Sequence, residues 1–172
     1  MAKAFEPAID LHVLKAPLRN VRAHLDGTFL SVDLIPSVVL DEPVQASDPS
    51  GTPELDKIIS DLEKAARPIV EAKSVLRAEF ESVQACVIQE EFVELFEKLI
   101  ADFDAPPRIL GQKGWFPFLR VLNSSWREEL PDYQGGDWPE LHHYKIVSME
   151  THLDILGVLV ATEWRKNLEK HP

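Results

Sequence analysis

A chain with one cysteine, Cys86, cannot close a disulfide within itself. No run approaches the roughly 18 apolar residues of a membrane-spanning helix. The start, Met-Ala-Lys-Ala-Phe-Glu-Pro, has no basic cluster followed by a long apolar stretch, so no secretory signal is expected. Together these absences point to a reducing, cytoplasmic setting. Phosphate-binding loops are missing too: Gly135-Gly136 runs into Asp137 without a strand–helix setting. No cysteine pair and no His-Glu-x-x-His supplies zinc ligands. Ser124-Ser125 lacks a Gly-x-Ser-x-Gly elbow, so joining either serine to a distant histidine and acid is a free choice among many. No cofactor and no metal is expected.

Positive charge is scarce as well. Lys and Arg number 18 against 29 Asp and Glu, a formal net charge of −11. Residues 1–40 are balanced at four of each sign, residues 53–104 hold thirteen acids against six bases, and residues 105–172 hold nine against eight. The excess is therefore central. Such a field repels nucleic acid and anionic lipid and attracts basic proteins.

What is present suits one globular domain of ordinary composition, large enough to bury its own core. The expected class is α+β. Residues 1–40 are read as an antiparallel β-meander. Ile9, Leu11 and Val13 alternate with polar neighbours, and a hairpin at Asp26-Gly27 places Val21, Ala23, Leu25, Leu30, Val32 and Leu34 on one face. Pro36 is expected to stop its second strand, with Ser37-Val38-Val39-Leu40 continuing as a short strand. Residues 41–52 form a polar loop. Thr52-Pro53 then opens long acidic helices over 53–104, with an apolar stripe through Leu55, Ile59, Leu62, Ile69, Leu76, Phe80, Val83 and Val87, kinked near Pro68. A second helix carries Phe92, Leu95, Phe96, Leu99 and Phe103, flanked by Glu90, Glu91, Glu94, Glu97 and Asp102.

Residues 105–172 are an aromatic-rich mixed α/β segment: a short helix through Phe118, Leu119, Leu122 and Trp126, a strand over 143–147, and a closing helix over 149–170. The alternative to that helix is a strand through 152–160.

Two clusters invite functional assignments. Trp115, Trp126, Tyr133 and Trp138 lie within 24 residues, and such aromatics are favoured interface anchors. His142, His143 and His152 resemble metal ligands, but a strand would send His142 and His143 to opposite faces. Cys86, in an apolar context, is expected to be a small buried hydrophobe. The leading expectation is a non-enzymatic binding module for a basic protein, with the physical profile of an immunity protein neutralising a nuclease-like bacterial toxin. Glu90, Glu91, Glu94, Glu97 and Asp102 would steer the partner, and Trp115, Tyr133 and Trp138 would anchor it. The alternatives are a small-ligand or metal-dependent enzyme using the His142/His143/His152 region, and a helical homodimeric scaffold. Neither nucleic acid nor membrane is expected as a partner.

Overall fold

The computed structural model describes residues 4–41, 52, 57, 58, 61, 66–90, 106–112, 114–128 and 140–167. Their strands are β1 (Ala4–Pro7), β2 (Leu18–Asp26), β3 (Phe29–Val39), β4 (Ile69–Glu71), β5 (Ser74–Glu90), β6 (Phe118–Leu122), β7 (His142–Val147) and β8 (Thr151–Lys166). They form one sheet in the order β1-β6-β7-β8-β5-β3-β2, with β4 on the end of β3, and every neighbouring pair is antiparallel. A single helical turn, Ser125–Glu128 (α1), follows β6. The α+β expectation with long central helices is therefore corrected: the described residues form a mostly antiparallel β-sheet.

The long central helix fails where it meets β4 and β5, and the reason lies in the spacing. Leu76 and Phe80 are four apart, which keeps them on one face of a helix and equally of a strand. Ala78 between them, with Arg77, Glu79 and Glu81 alternating, decides for the strand. Leu76, Ala78 and Phe80 are buried opposite Leu34, Val32 and Leu30. The step of three from Phe80 to Val83, which looks helical, comes from a bulge: the β5–β8 register shifts between Glu81 and Ala85, and Ser82 takes a positive φ of 52°. Gly157 makes room for it, since a Cβ there would lie 3.2 Å from Val83 Cγ2. The expected second helix, beyond residue 90, lies outside the described residues, as does most of the 41–52 loop.

The closing helix is corrected to β8. Residues 152–157 are buried in unbroken sequence, so no polar alternation marks the strand, and Val160 is an extra residue at a second register shift. The short helix through Phe118 is strand β6. The N-terminal meander is corrected as well. Residues 11–13 form a turn, and β1 pairs with β6 at the far end of the sheet. The β2–β3 hairpin is present, but its loop is Gly27-Thr28, with Asp26 opposite Phe29 and Leu25 opposite Leu30. That register is displaced by an even number of residues, so Val21, Ala23, Leu25, Leu30, Val32 and Leu34 still share a face. Gly27, at φ 59°, takes the left-handed conformation the turn requires. Pro36 does not end β3. It stands where β2 begins to diverge, and the strand runs on to pair with β4.

The sheet coils strongly. A parallel bridge joins Leu18 to Ser148, and Met149 N–H donates to Leu18 O at 3.0 Å, bringing the start of β2 to the β7–β8 turn. Inside the curve, Phe80 meets Tyr144 (centroids 5.2 Å) and Phe118 (6.2 Å) edge-on. All three rings belong to the main buried cluster. Phe80→Ala is expected to cost about 3–5 kcal/mol, read as a fall in the denaturant midpoint.

Candidate active site

Three polar side chains on the other face of the sheet are buried together. The β7–β8 hairpin positions two of them. Its turn is closed by Ser148, whose backbone N–H donates to Thr151 O (3.1 Å) and whose hydroxyl accepts from Thr151 N–H (2.9 Å). This sets the register: Lys145 is directly opposite Asp154, and His143 is opposite Leu156. His143 and Asp154 are thus diagonal neighbours, within reach of one another. The third comes from β6, where Val121 is opposite His143. Just beyond the strand, Asn123 turns the chain with φ 55°, a conformation asparagine tolerates better than most residues. Ser124 then lies beside the histidine, and α1 begins.

The result is a continuous relay. Ser124 Oγ is 2.7 Å from His143 Nδ1, and His143 Nε2 is 3.0 Å from Asp154 Oδ1. Lys145 Nζ donates to Asp154 Oδ2 at 2.7 Å. Ser124, His143 and Asp154 are each less than a tenth exposed. Trp126, from α1, stacks on the imidazole with centroids 4.7 Å apart and planes 3° from parallel. Burial works against the charge of Asp154, but it is outweighed by the His143 hydrogen bond and by the charge and hydrogen bond of Lys145. The carboxyl is held below its ordinary value.

That ionisation assigns the protons. An ionised Asp154 only accepts, so His143 carries its hydrogen on Nε2. In the neutral imidazole Nδ1 then keeps a lone pair toward Ser124, and the hydroxyl donates to it. The two ring nitrogens are used in the order opposite to that of the familiar serine-protease relay. The chemistry needs only that the acid hold the proton on one nitrogen while the other accepts.

The relay opens on a cleft of about 680 Å³. Ser124, His143, Arg120, Asn123 and His142 contribute its polar wall, and Val121 and Leu122 its apolar part. Arg120 forms an ion pair with Glu6, its partner across the β1–β6 register, and its Nη1 faces His142 Nε2 at 3.3 Å.

The expected site residues are distributed differently. Trp115 is partly exposed and carries the Arg108 guanidinium 4.4 Å from its ring centroid. Glu90 is the last residue of β5. Glu91, Glu94, Glu97, Asp102, Tyr133 and Trp138 lie outside the described residues. Of the described central carboxylates, Glu71 pairs with Arg22 (2.7 Å) and Glu79 with Arg165 (3.5 Å), which neutralises part of that field internally. His142 and His143 do sit on successive positions of a strand, while His152 is buried opposite Val147. Among the described residues, no group of three or more His, Cys, Asp or Glu is placed to hold a metal. Cys86 is half-buried, and burial, then the charge of Asp154, pushes its thiol up, away from the reactive thiolate. Among the described residues no helix is long and apolar enough to cross a membrane.

Sequence reasoning set Ser124 aside and gave Asp154 no role. The available signal was strand alternation in 142–147 followed by Ser148 and Thr151, a turn that would have folded Asp154 back onto His143. Comparison with protein-family models, curated proteins and solved structures finds no match.

Proposed function

We propose that the protein is a serine-dependent hydrolase acting on small esters, with Ser124 as nucleophile, His143 as general base and acid, and Asp154 as the group that orients the imidazole. The observation that carries this reading is the unbroken Ser124–His143–Asp154 hydrogen-bond chain ending at a cleft. A serine hydroxyl is a weak nucleophile until a neighbouring base takes its proton as it attacks, and the triad logic requires that base to be oriented by a third group.

In the first half-reaction Ser124 Oγ attacks the carbonyl carbon of the ester, and its proton passes to His143 Nδ1. The imidazolium is stabilised by Asp154 through Nε2–H and by the face of Trp126. Collapse of the tetrahedral intermediate breaks the bond to the alkoxy group, which leaves as the alcohol with the proton from Nδ1. Water then gives a proton to Nδ1 and attacks the acyl-serine. The acid departs, and Ser124 recovers its hydrogen. Among the described residues of the cleft, Asn123, next to Ser124 in the chain, carries a side-chain N–H that can meet the negative charge developing on the carbonyl oxygen. Lys145 draws on the same carboxylate as His143, so the acid is partly neutralised in the resting protein. This suits an activated ester better than an amide, whose leaving group demands more from the relay.

The test is steady-state hydrolysis of short-chain p-nitrophenyl esters by the purified full chain. The expected result is saturable release of p-nitrophenol well above the rate with heat-unfolded protein. A rate that never saturates and survives unfolding would contradict the assignment.

A further inference from the structure

Strand pairing brings an ammonium group to the relay. Lys145 stands directly opposite Asp154 in the β7–β8 register. Its Nζ donates to Asp154 Oδ2 at 2.7 Å, while His143 Nε2 holds Oδ1 at 3.0 Å. One carboxylate thus serves two groups, one through each oxygen. Resting on the hydrolase reading, we infer that Lys145 tunes the relay: its charge, acting through the shared carboxylate, resists protonation of the His143–Asp154 pair and so extends hydrolysis toward lower pH.

The argument is electrostatic and does not depend on which member of the pair takes the extra proton. On the imidazole, that proton makes a second cation on a carboxylate that already holds Lys145. On the carboxylate, it cancels the charge that holds the ammonium, and the acid then donates to His143 Nε2. In both forms Nδ1 carries a hydrogen, so Ser124 has lost its base. Lys145 opposes both. Its influence is little screened, because the side chains of His143, Lys145 and Asp154 are 5%, 12% and 11% exposed. Against burial, and alongside the His143 hydrogen bond, Lys145 helps hold the carboxyl below its ordinary value.

Among the described residues, the other neighbours do not supply this charge. Val121 of β6 and Leu156 of β8 stand opposite His143, and Val87 of β5 stands opposite Asp154. Trp126 covers the imidazole. His152 lies two residues before Asp154 on the same face of β8, and the Cys86 thiol feels the charge of Asp154 from β5. Strand alternation sends Arg120 and His142 to the other face of the sheet.

Lys145→Gln removes the charge and keeps an N–H for Oδ2. It is compared with the wild type across pH by kcat/KM for a short-chain p-nitrophenyl ester and by the ring-nitrogen NMR signals of His143, which report the hydrogen on Nδ1 without turnover. Both the acid limb and the ring titration are expected to move to higher pH by about one unit. Lys145→Met should move them the same way and serves if Lys145→Gln does not fold. Lys145→Arg, which keeps a cation on the carboxylate, should stay closer to the wild type than either. A lysine that only supports the fold would lower the rate at every pH and leave the limb in place. An unmoved limb in a folded neutral variant, a shift to lower pH, or an equal shift in Lys145→Arg would each overturn the inference.

The two readings fail separately. A ring titration that shifts in Lys145→Gln, in a protein whose wild type hydrolyses no ester, would remove the serine chemistry and leave the coupling. Hydrolysis with an acid limb indifferent to the Lys145 charge would do the reverse.

Discussion

Ser124→Ala is expected to lower the ester hydrolysis rate by at least ~10³-fold while leaving the unfolding midpoint within about 1–2 kcal/mol of wild type. In a relay the members act as a unit, and removing the nucleophile forfeits most of what the unit achieves. The structural cost is small by comparison. One hydrogen bond is lost, a hydroxyl is replaced by hydrogen, and His143 Nδ1 is left facing a cleft that water can enter. A role confined to packing gives the opposite split, with a loss of stability and little effect on any rate. Rate and midpoint therefore have to be measured on the same preparation. Ser125→Ala is the matched control. Ser125 is the first residue of α1, and no part of the relay rests on it.

Asp154→Asn is expected to be the most destabilising single substitution at the site, by about 3–5 kcal/mol. The side chain is 11% exposed and holds two partners, His143 and Lys145, the latter 12% exposed. An asparagine can still accept from His143 Nε2–H through its carbonyl oxygen. Its amide then faces the Lys145 ammonium, which is left buried without a counter-charge. Pairing Asp154→Asn with Lys145→Met deletes that stranded charge and should recover a large part of the loss, a non-additivity read directly from a double-mutant cycle.

The same carboxylate sets an acid limb. Its folded value lies below the unfolded value of about 3.9, so the stability it contributes is complete above that value and is lost as pH falls through the folded one. The wild-type midpoint should drop over that interval, and Asp154→Asn should lack this component of the drop.

Local chemistry made part of the fold legible. Asp26-Gly27 marks the β2–β3 reversal, and strict alternation gives its two faces, although the turn advances by one residue to Gly27-Thr28. The strand over 143–147 is equally plain, because Tyr144 and Ile146 alternate with Lys145 and Val147. The central and closing segments misled for identifiable reasons. An i, i+4 spacing such as Leu76 to Phe80 belongs to both periodicities. The bulge after Glu81 introduces a step of three, which imitates a helix. In β8, burial of both faces from His152 to Gly157 erases the polar alternation that identifies a strand.

The site was hidden by the same misreading. Once residues 149–170 are taken as a helix, Asp154 has no register with His143, and Ser124 has no acid to complete a relay. No local motif could compensate, since the three residues come from β7, β8 and the turn after β6 and meet only through strand pairing. What alternation did indicate was that His142 and His143 part company, and this is what sends one toward Tyr144 and Arg120 and the other toward Asp154.

The most direct measurement is covalent capture. The folded wild-type chain is treated with a fluorophosphonate ester, which phosphonylates only a serine whose proton is being withdrawn, and the adduct is mapped by peptide mass spectrometry. The account predicts one adduct per chain, on Ser124, formed slowly or not at all in Asp154→Asn protein that remains folded. An unmodified Ser124 in native wild-type protein, or labelling spread over surface serines at the rate seen after unfolding, would contradict it.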